Sequence, residues 1–164
     1  MRVLVAIDGS RECEWAVPVA AKIVDAFNAD VYLLQVLTGF ATTKGHVHHE
    51  PEWEGGIEGE ILAMMKKARA YLDELVTRYE LPAERTRCLV GRNEAPPKEI
   101  IEVARNNAID LVVMTSHCRN WLGQLTQGSC CAEVVRSKVC PVLSVPVHHD
   151  TGARKHRALM GARR

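Results

Sequence analysis

The chain has 164 residues, 47% of them hydrophobic and 25% charged, with a formal net charge of +1. That length suits one domain with a single core of ordinary size. The near-neutral charge excludes a global field that would steer the molecule towards nucleic acid or membrane. No apolar run reaches the roughly 18 residues that a membrane helix needs. Met1 and Arg2 lead directly into a short apolar run, without the pattern of a secretory signal. A cytoplasmic protein is therefore expected. Its six cysteines are Cys13, Cys88, Cys118, Cys130, Cys131 and Cys140. None falls at CxxC spacing, which argues against a zinc ribbon or a thioredoxin-like site. Most are expected to be reduced, buried and apolar in role.

The apolar run Val3–Ile7, ended by Asp8-Gly9-Ser10, reads as a strand buried on both faces. Ser10 can cap the helix that follows, with Glu12 favourable in its first turn. Cys13, Ala16, Val17, Ala20, Ile23, Val24 and Phe27 form that helix's predicted buried stripe. Asn28-Ala29-Asp30 turns the chain into a second strand, Val31–Leu37. Thr38 to Gly59 is polar and aperiodic, and is expected to be a long mobile loop. A helix is predicted over Glu60–Glu80, burying Ile61, Met64, Met65, Ala68, Tyr71, Leu72, Leu75 and Val76. Leu81-Pro82 stops it. Thr86–Val90 is the third strand, and Pro96-Pro97 opens a helix to Asn106. Leu111–Met114, Ser129–Ser137 and Pro141–Val145 read as strand, helix and strand. The last segment, 148–164, is a basic tail with five Arg and Lys residues against Asp150.

Strands alternating with helices imply an α/β fold with a mainly parallel sheet and right-handed crossovers. Ligands of such sheets bind beyond the carboxyl ends of the strands. That edge comprises Asp8–Ser10, Val36–Gly39, Gly91–Ala95 and Thr115–Ser129. Gly128-Ser129 stands where a helix begins. Free N–H groups and the helix dipole there suit an anion such as phosphate, and the same pair also serves as a plain cap. His46, His48 and His49 with Glu50, Glu52 and Glu54 offer donor types that bind zinc, but without a firm scaffold. Cys130-Cys131 stand at a helix start, where a thiolate is stabilised, although neighbouring cysteines also serve as packing residues. No GxxxxGK[ST], GxSxG or HExxH string is present.

The strings VLVAIDGS, LVGRNEAPPKEIIEVA, DLVVMTSHCR, Gly128-Ser129 and CPVLSVPV occur in an order and spacing that resemble the universal stress protein family over about residues 1–147. The resemblance implies an open, Rossmann-like, five-stranded sheet of order 3-2-1-4-5 with helices on both faces. It also implies a homodimer through the last strand, Pro141–Val145. One branch of that family binds ATP, with or without Mg, through a motif of glycine, two residues, glycine, nine residues, then glycine and serine or threonine. Carried onto this chain, the site comprises Asp8 at the adenosine end, Val36 against adenine, and Thr115, Cys118, Arg119, Gly128 and Ser129 around the phosphates. Thr115 and Cys118 stand where that branch has glycines. Thr115 offers a hydroxyl instead, and Cys118 at a positive φ would cost about 1–2 kcal/mol. Trp121, in the same loop, either covers the pocket or packs against the domain. The resemblance thus leaves two readings. One is a regulatory module that binds ATP or another adenine nucleotide, with at most slow hydrolysis. The other is a nucleotide-free dimer acting as an interaction protein.

Overall fold

The computed structural model describes residues 1–39, 56–115 and 129–147. Its five strands are β1 (Arg2–Ile7), β2 (Asp30–Leu37), β3 (Thr86–Arg92), β4 (Leu111–Thr115) and β5 (Val142–Val145). They form one sheet in the expected order, β3-β2-β1-β4-β5, and every pairing is parallel. The helices are α1 (Ala16–Phe27), α2 (Gly56–Arg78), α3 (Pro96–Asn106) and α4 (Cys130–Ser137).

The apolar runs are continuous because both faces of the sheet are covered. Alternation along the strands divides the core in two. Val3, Val5, Ile7, Val31, Leu33 and Val113 pack with Ala16, Val17, Ala20 and Val24 of α1 and with Leu72 and Leu75 of α2. Leu4, Ala6, Tyr32, Leu34, Val36, Val112 and Met114 pack with Ile100 and Ala104 of α3 and with Cys131 and Val134 of α4. β1 lies between β2 and β4, and Val3 to Ile7 are all fully buried or nearly so.

A 3-10 turn, Cys13–Trp15, opens α1. Pro18 falls in the first turn of α1, where its missing N–H leaves no bond unmade. Phe27, expected in the buried stripe, is 66% exposed. It is the last helical residue. The chain reverses at Asn28, which holds a left-handed conformation at φ 50 that asparagine tolerates. The N–H of Ala29 closes the end on the carbonyl of Val24 at 3.1 Å.

α2 begins at Gly56 rather than at Glu60, and only part of its predicted stripe is covered. Ala68, Leu72 and Leu75 are buried, whereas Met64 is 44% exposed. The second half of the helix carries the packing against β2 and β3. In the first half the helical period is only partly covered, with Leu62 54% and Met64 44% exposed.

Glu14 ties α2 to the entry of α1. Its carboxylate accepts from the Tyr71 hydroxyl at 3.0 Å, from Arg78 Nη1 at 2.8 Å and from the Tyr79 hydroxyl at 3.4 Å. Burial and then the charge of Glu14 push the Tyr71 phenol above its ordinary range. Glu14→Ala leaves these donors short at once, and is expected to cost about 1.5–3 kcal/mol in urea unfolding. A loss near zero would show a solvated ion pair of no consequence.

Candidate functional site

Because all five strands run parallel, their carboxyl ends meet at one edge. Asp8 leaves β1 there. Its Oδ1 accepts from the Ser10 N–H at 2.8 Å and the Ser10 hydroxyl at 2.6 Å, a local turn closed by the side chain. Ser10 Oγ in turn accepts from the N–H of Cys13, the first residue of the 3-10 turn, at 3.3 Å, whereas the N-cap of α1 is Trp15, without a side-chain cap. Asp8 Oδ2 is buried and has no hydrogen-bond partner among the described residues. Gly9, between them, has φ +85.

β2 contributes Gln35 and Val36. Val36 is 4% exposed, pairs with Gly91 of β3 and faces the α3–α4 side of the core. Gln35 was not among the residues expected at the site. It is 9% exposed, lies opposite Ile7 of β1, and its Oε1 is buried without a partner among the described residues. The available signal was a single amide inside the apolar strand VYLLQVL.

Gly91 lies within β3 and not in the turn after it. A Cβ there would come 2.8 Å from Glu99 Cγ, so glycine allows α3 to approach the strand. The following loop is held by Asn93. Its Oδ1 accepts from the Ala95 N–H at 2.9 Å, and its Nδ2 donates to Glu99 at 3.2 Å.

Thr115 ends β4 and is 1% exposed. Its Oγ1 lies 3.2 Å from Cys13 Sγ. Cys13 is disulfide-bonded, so its sulfur carries no proton and the threonine donates. The hydroxyl is thus engaged on the α1 side of the sheet. Among the other described cysteines, Cys88, Cys130, Cys131 and Cys140 are free thiols. Alkylation of unreduced, denatured protein is expected to label these four and to reach Cys13 only after reduction. Peptide mass mapping checks it.

Ser129 is the N-cap of α4, with extended backbone (φ −70, ψ 148) and Oγ accepting from the Ala132 N–H at 3.2 Å. The cap uses a lone pair of the hydroxyl oxygen, not its proton. Cys118, Arg119 and Gly128 lie outside the described residues, as do Trp121, the His46–Glu54 segment and the basic tail. Among the described residues no group of His, Cys, Asp or Glu is arranged to hold a metal ion. No described helix is long and apolar enough to cross a membrane.

A stabilised thiolate at the α4 start is not what the structure provides. Burial pushes the Cys130 thiol well above its ordinary range, and Cys131, Glu133 and Asp8 add to that. Burial likewise raises Cys88 to about 11, helped by Asp73. Both thiols are therefore protonated at neutral pH and serve as packing residues. The folded state holds these protons more tightly than the unfolded chain does. Their contribution to stability is thus complete below the free-thiol range and is lost as pH rises through about 11 at Cys88. Melting temperature is expected to fall from about pH 9 upward. In Cys88→Ala that fall is expected to be shallower.

An open, doubly wound parallel sheet with an acid after the first strand and a serine-capped helix after the fourth defines the class: a Rossmann-like α/β domain, a fold whose ligands generally bind beyond the carboxyl ends of the strands. The chain belongs to the universal stress protein family, whose pattern it matches over residues 1–146. Among solved structures it is similar to UspA from Lactobacillus plantarum, with a TM-score of 0.67 and 20% identity over 88% of this chain and 97% of that one. A universal stress protein in complex with cAMP superposes with a TM-score of 0.62 at 20% identity, covering 90% and 98% of the two chains. The Archaeoglobus fulgidus protein in complex with dAMP has a TM-score of 0.56 at 16% identity, covering 88% and 96%. At such identities the likeness concerns the fold. Among curated proteins, no sequence matches.

Proposed function

We propose that this chain is a regulatory module that binds ATP or another adenine nucleotide across the carboxyl ends of β1, β2 and β4, with at most slow hydrolysis. The observation that carries this reading is Asp8. Its Oδ2 is a buried acceptor with no donor among the described residues, at the edge where such folds receive ligands. A ribose brings hydroxyl donors to such an atom. Asp8 also stands close enough to α4 for its charge to act on Cys130. A ligand held by Asp8 can therefore lay its phosphates towards the capped start of α4, where Ser129 and free N–H groups favour negative charge. Arg119 and Gly128 would complete the phosphate end, and the backbone at Val36 would take the base. Family members with cAMP and with dAMP are known in structure, which supports an adenine ligand here.

The chain would work in the cytoplasm as a homodimer through β5. Among the described residues that strand is the last of the sheet, with Leu143 37% exposed. The nucleotide-free reading has one observation in its favour. Thr115, which stands for a motif glycine, has its hydroxyl engaged by Cys13 and does not replace a lost phosphate contact. Mass analysis of whatever leaves the purified protein on denaturation, together with MgATP titration by calorimetry, separates the two. Co-purified adenine nucleotide or a measurable Kd supports the proposal. Neither one at millimolar MgATP sinks it.

A further inference from the structure

Gln35 carries an inference that rests on this nucleotide reading and extends it to the base. Among the described residues, only two buried side-chain oxygens and nitrogens lack a hydrogen-bond partner, Asp8 Oδ2 and Gln35 Oε1. They come from neighbouring strands: Gln35 lies opposite Ile7, and Asp8 follows Ile7. Gln35 also reaches the same turn as Asp8. A Cβ on Gly9 would fall 2.8 Å from Gln35 Nε2, so the absence of a side chain at Gly9 leaves the space that the amide occupies.

A buried amide oxygen without a donor is a cost in the free protein, and structural glutamines avoid it by hydrogen bonding. The rest of β2 is as apolar as its position demands, from Val31 to Val36 with this one exception. Two orphaned acceptors around one turn, at the ligand edge of the sheet, fit a ligand that brings two kinds of donor. The charged carboxylate suits hydroxyl groups. The neutral amide suits an N–H of the base, since it accepts without adding a second buried charge.

We infer that Gln35 is a specificity-determining residue that accepts a hydrogen bond from the exocyclic amino group of the nucleobase, while Asp8 takes the ribose hydroxyls. A site built to satisfy that amino group discriminates against an analogue lacking it, because the analogue leaves the amide orphaned again.

The experiment uses the full chain and two probes, ATP and purine riboside triphosphate, which lacks the 6-amino group. Wild type is expected to prefer ATP by about tenfold. Gln35→Met, of similar volume and without the amide, is expected to bind the two equally at the weaker level. Its unliganded melting temperature is expected to stay the same or to rise. A merely structural glutamine gives the opposite pattern: a lower melting temperature and an unchanged ratio between the probes. Equal binding of both probes by wild type overturns the inference without any variant and leaves nucleotide binding standing. Wild type that binds neither probe overturns both readings together.

Discussion

Asp8→Asn is expected to weaken ATP binding by about ten- to a hundredfold, while leaving the melting temperature close to that of the wild type. The substitution isolates one atom. Oδ1 remains, so the Ser10 N–H and hydroxyl keep their acceptor and the turn after β1 survives. Oδ2 becomes an amide group. The charge-assisted acceptor offered to a ligand hydroxyl is lost, and such bonds are about twice as strong as neutral ones. Calorimetric titration with MgATP reads the first effect and a thermal melt the second. Unchanged affinity would remove Asp8 from the binding site and leave its role as a helix-entry turn. A large drop in melting temperature would show that the carboxylate is structural first.

The second large effect concerns stability. Leu72→Ala is expected to cost about 2–5 kcal/mol, because a fully buried side chain is replaced by a cavity under α2. Leu72 is 0% exposed and belongs to the cluster with Val31, Leu33, Leu75 and Cys88, where α2 crosses the β2 and β3 end of the sheet. Met64, two turns earlier on the same helix, is 44% exposed, and Met64→Ala is expected to change stability by no more than about 0.5 kcal/mol. Denaturant unfolding of the two variants at a common m-value tests the contrast. Equal losses would mean that the first half of α2 is covered as well as the second.

The legibility of this fold in its sequence follows the same division. A strand buried on both faces writes itself as a continuous apolar run, and Val3–Ile7 is read correctly for that reason. Pro96-Pro97 and Ser129 mark helix starts through local chemistry, and both helices begin where those residues require. The strand order, by contrast, came from the resemblance. Alternating strands and helices state that a parallel sheet forms, not which strand lies beside which.

The errors have one cause. Phe27, Ile61 and Met64 have helical spacing, but spacing reports only a face, not whether anything covers it. Glu14 was not singled out in the sequence. Its importance comes from Tyr71, Arg78 and Tyr79, which are brought to it by the packing of α2. The thiols of Cys130 and Cys88 were open to two readings, and burial chose between them. Thr115 offered a free hydroxyl on paper. The approach of Cys13, far away in the chain, engaged it.

The sequence by itself determined what short-range interactions can encode. Those are the alternation of elements, their caps and turns, and the family pattern over residues 1–146. Tertiary structure decided which polar groups would find partners. Asp8 and Gln35 are ordinary residues in the linear chain. They become a paired feature because parallel strands set Ile7 opposite Gln35 and Gly9 leaves room for the amide. Hydrogen bonding is satisfied in space, so an unsatisfied acceptor shows only once the strands lie side by side.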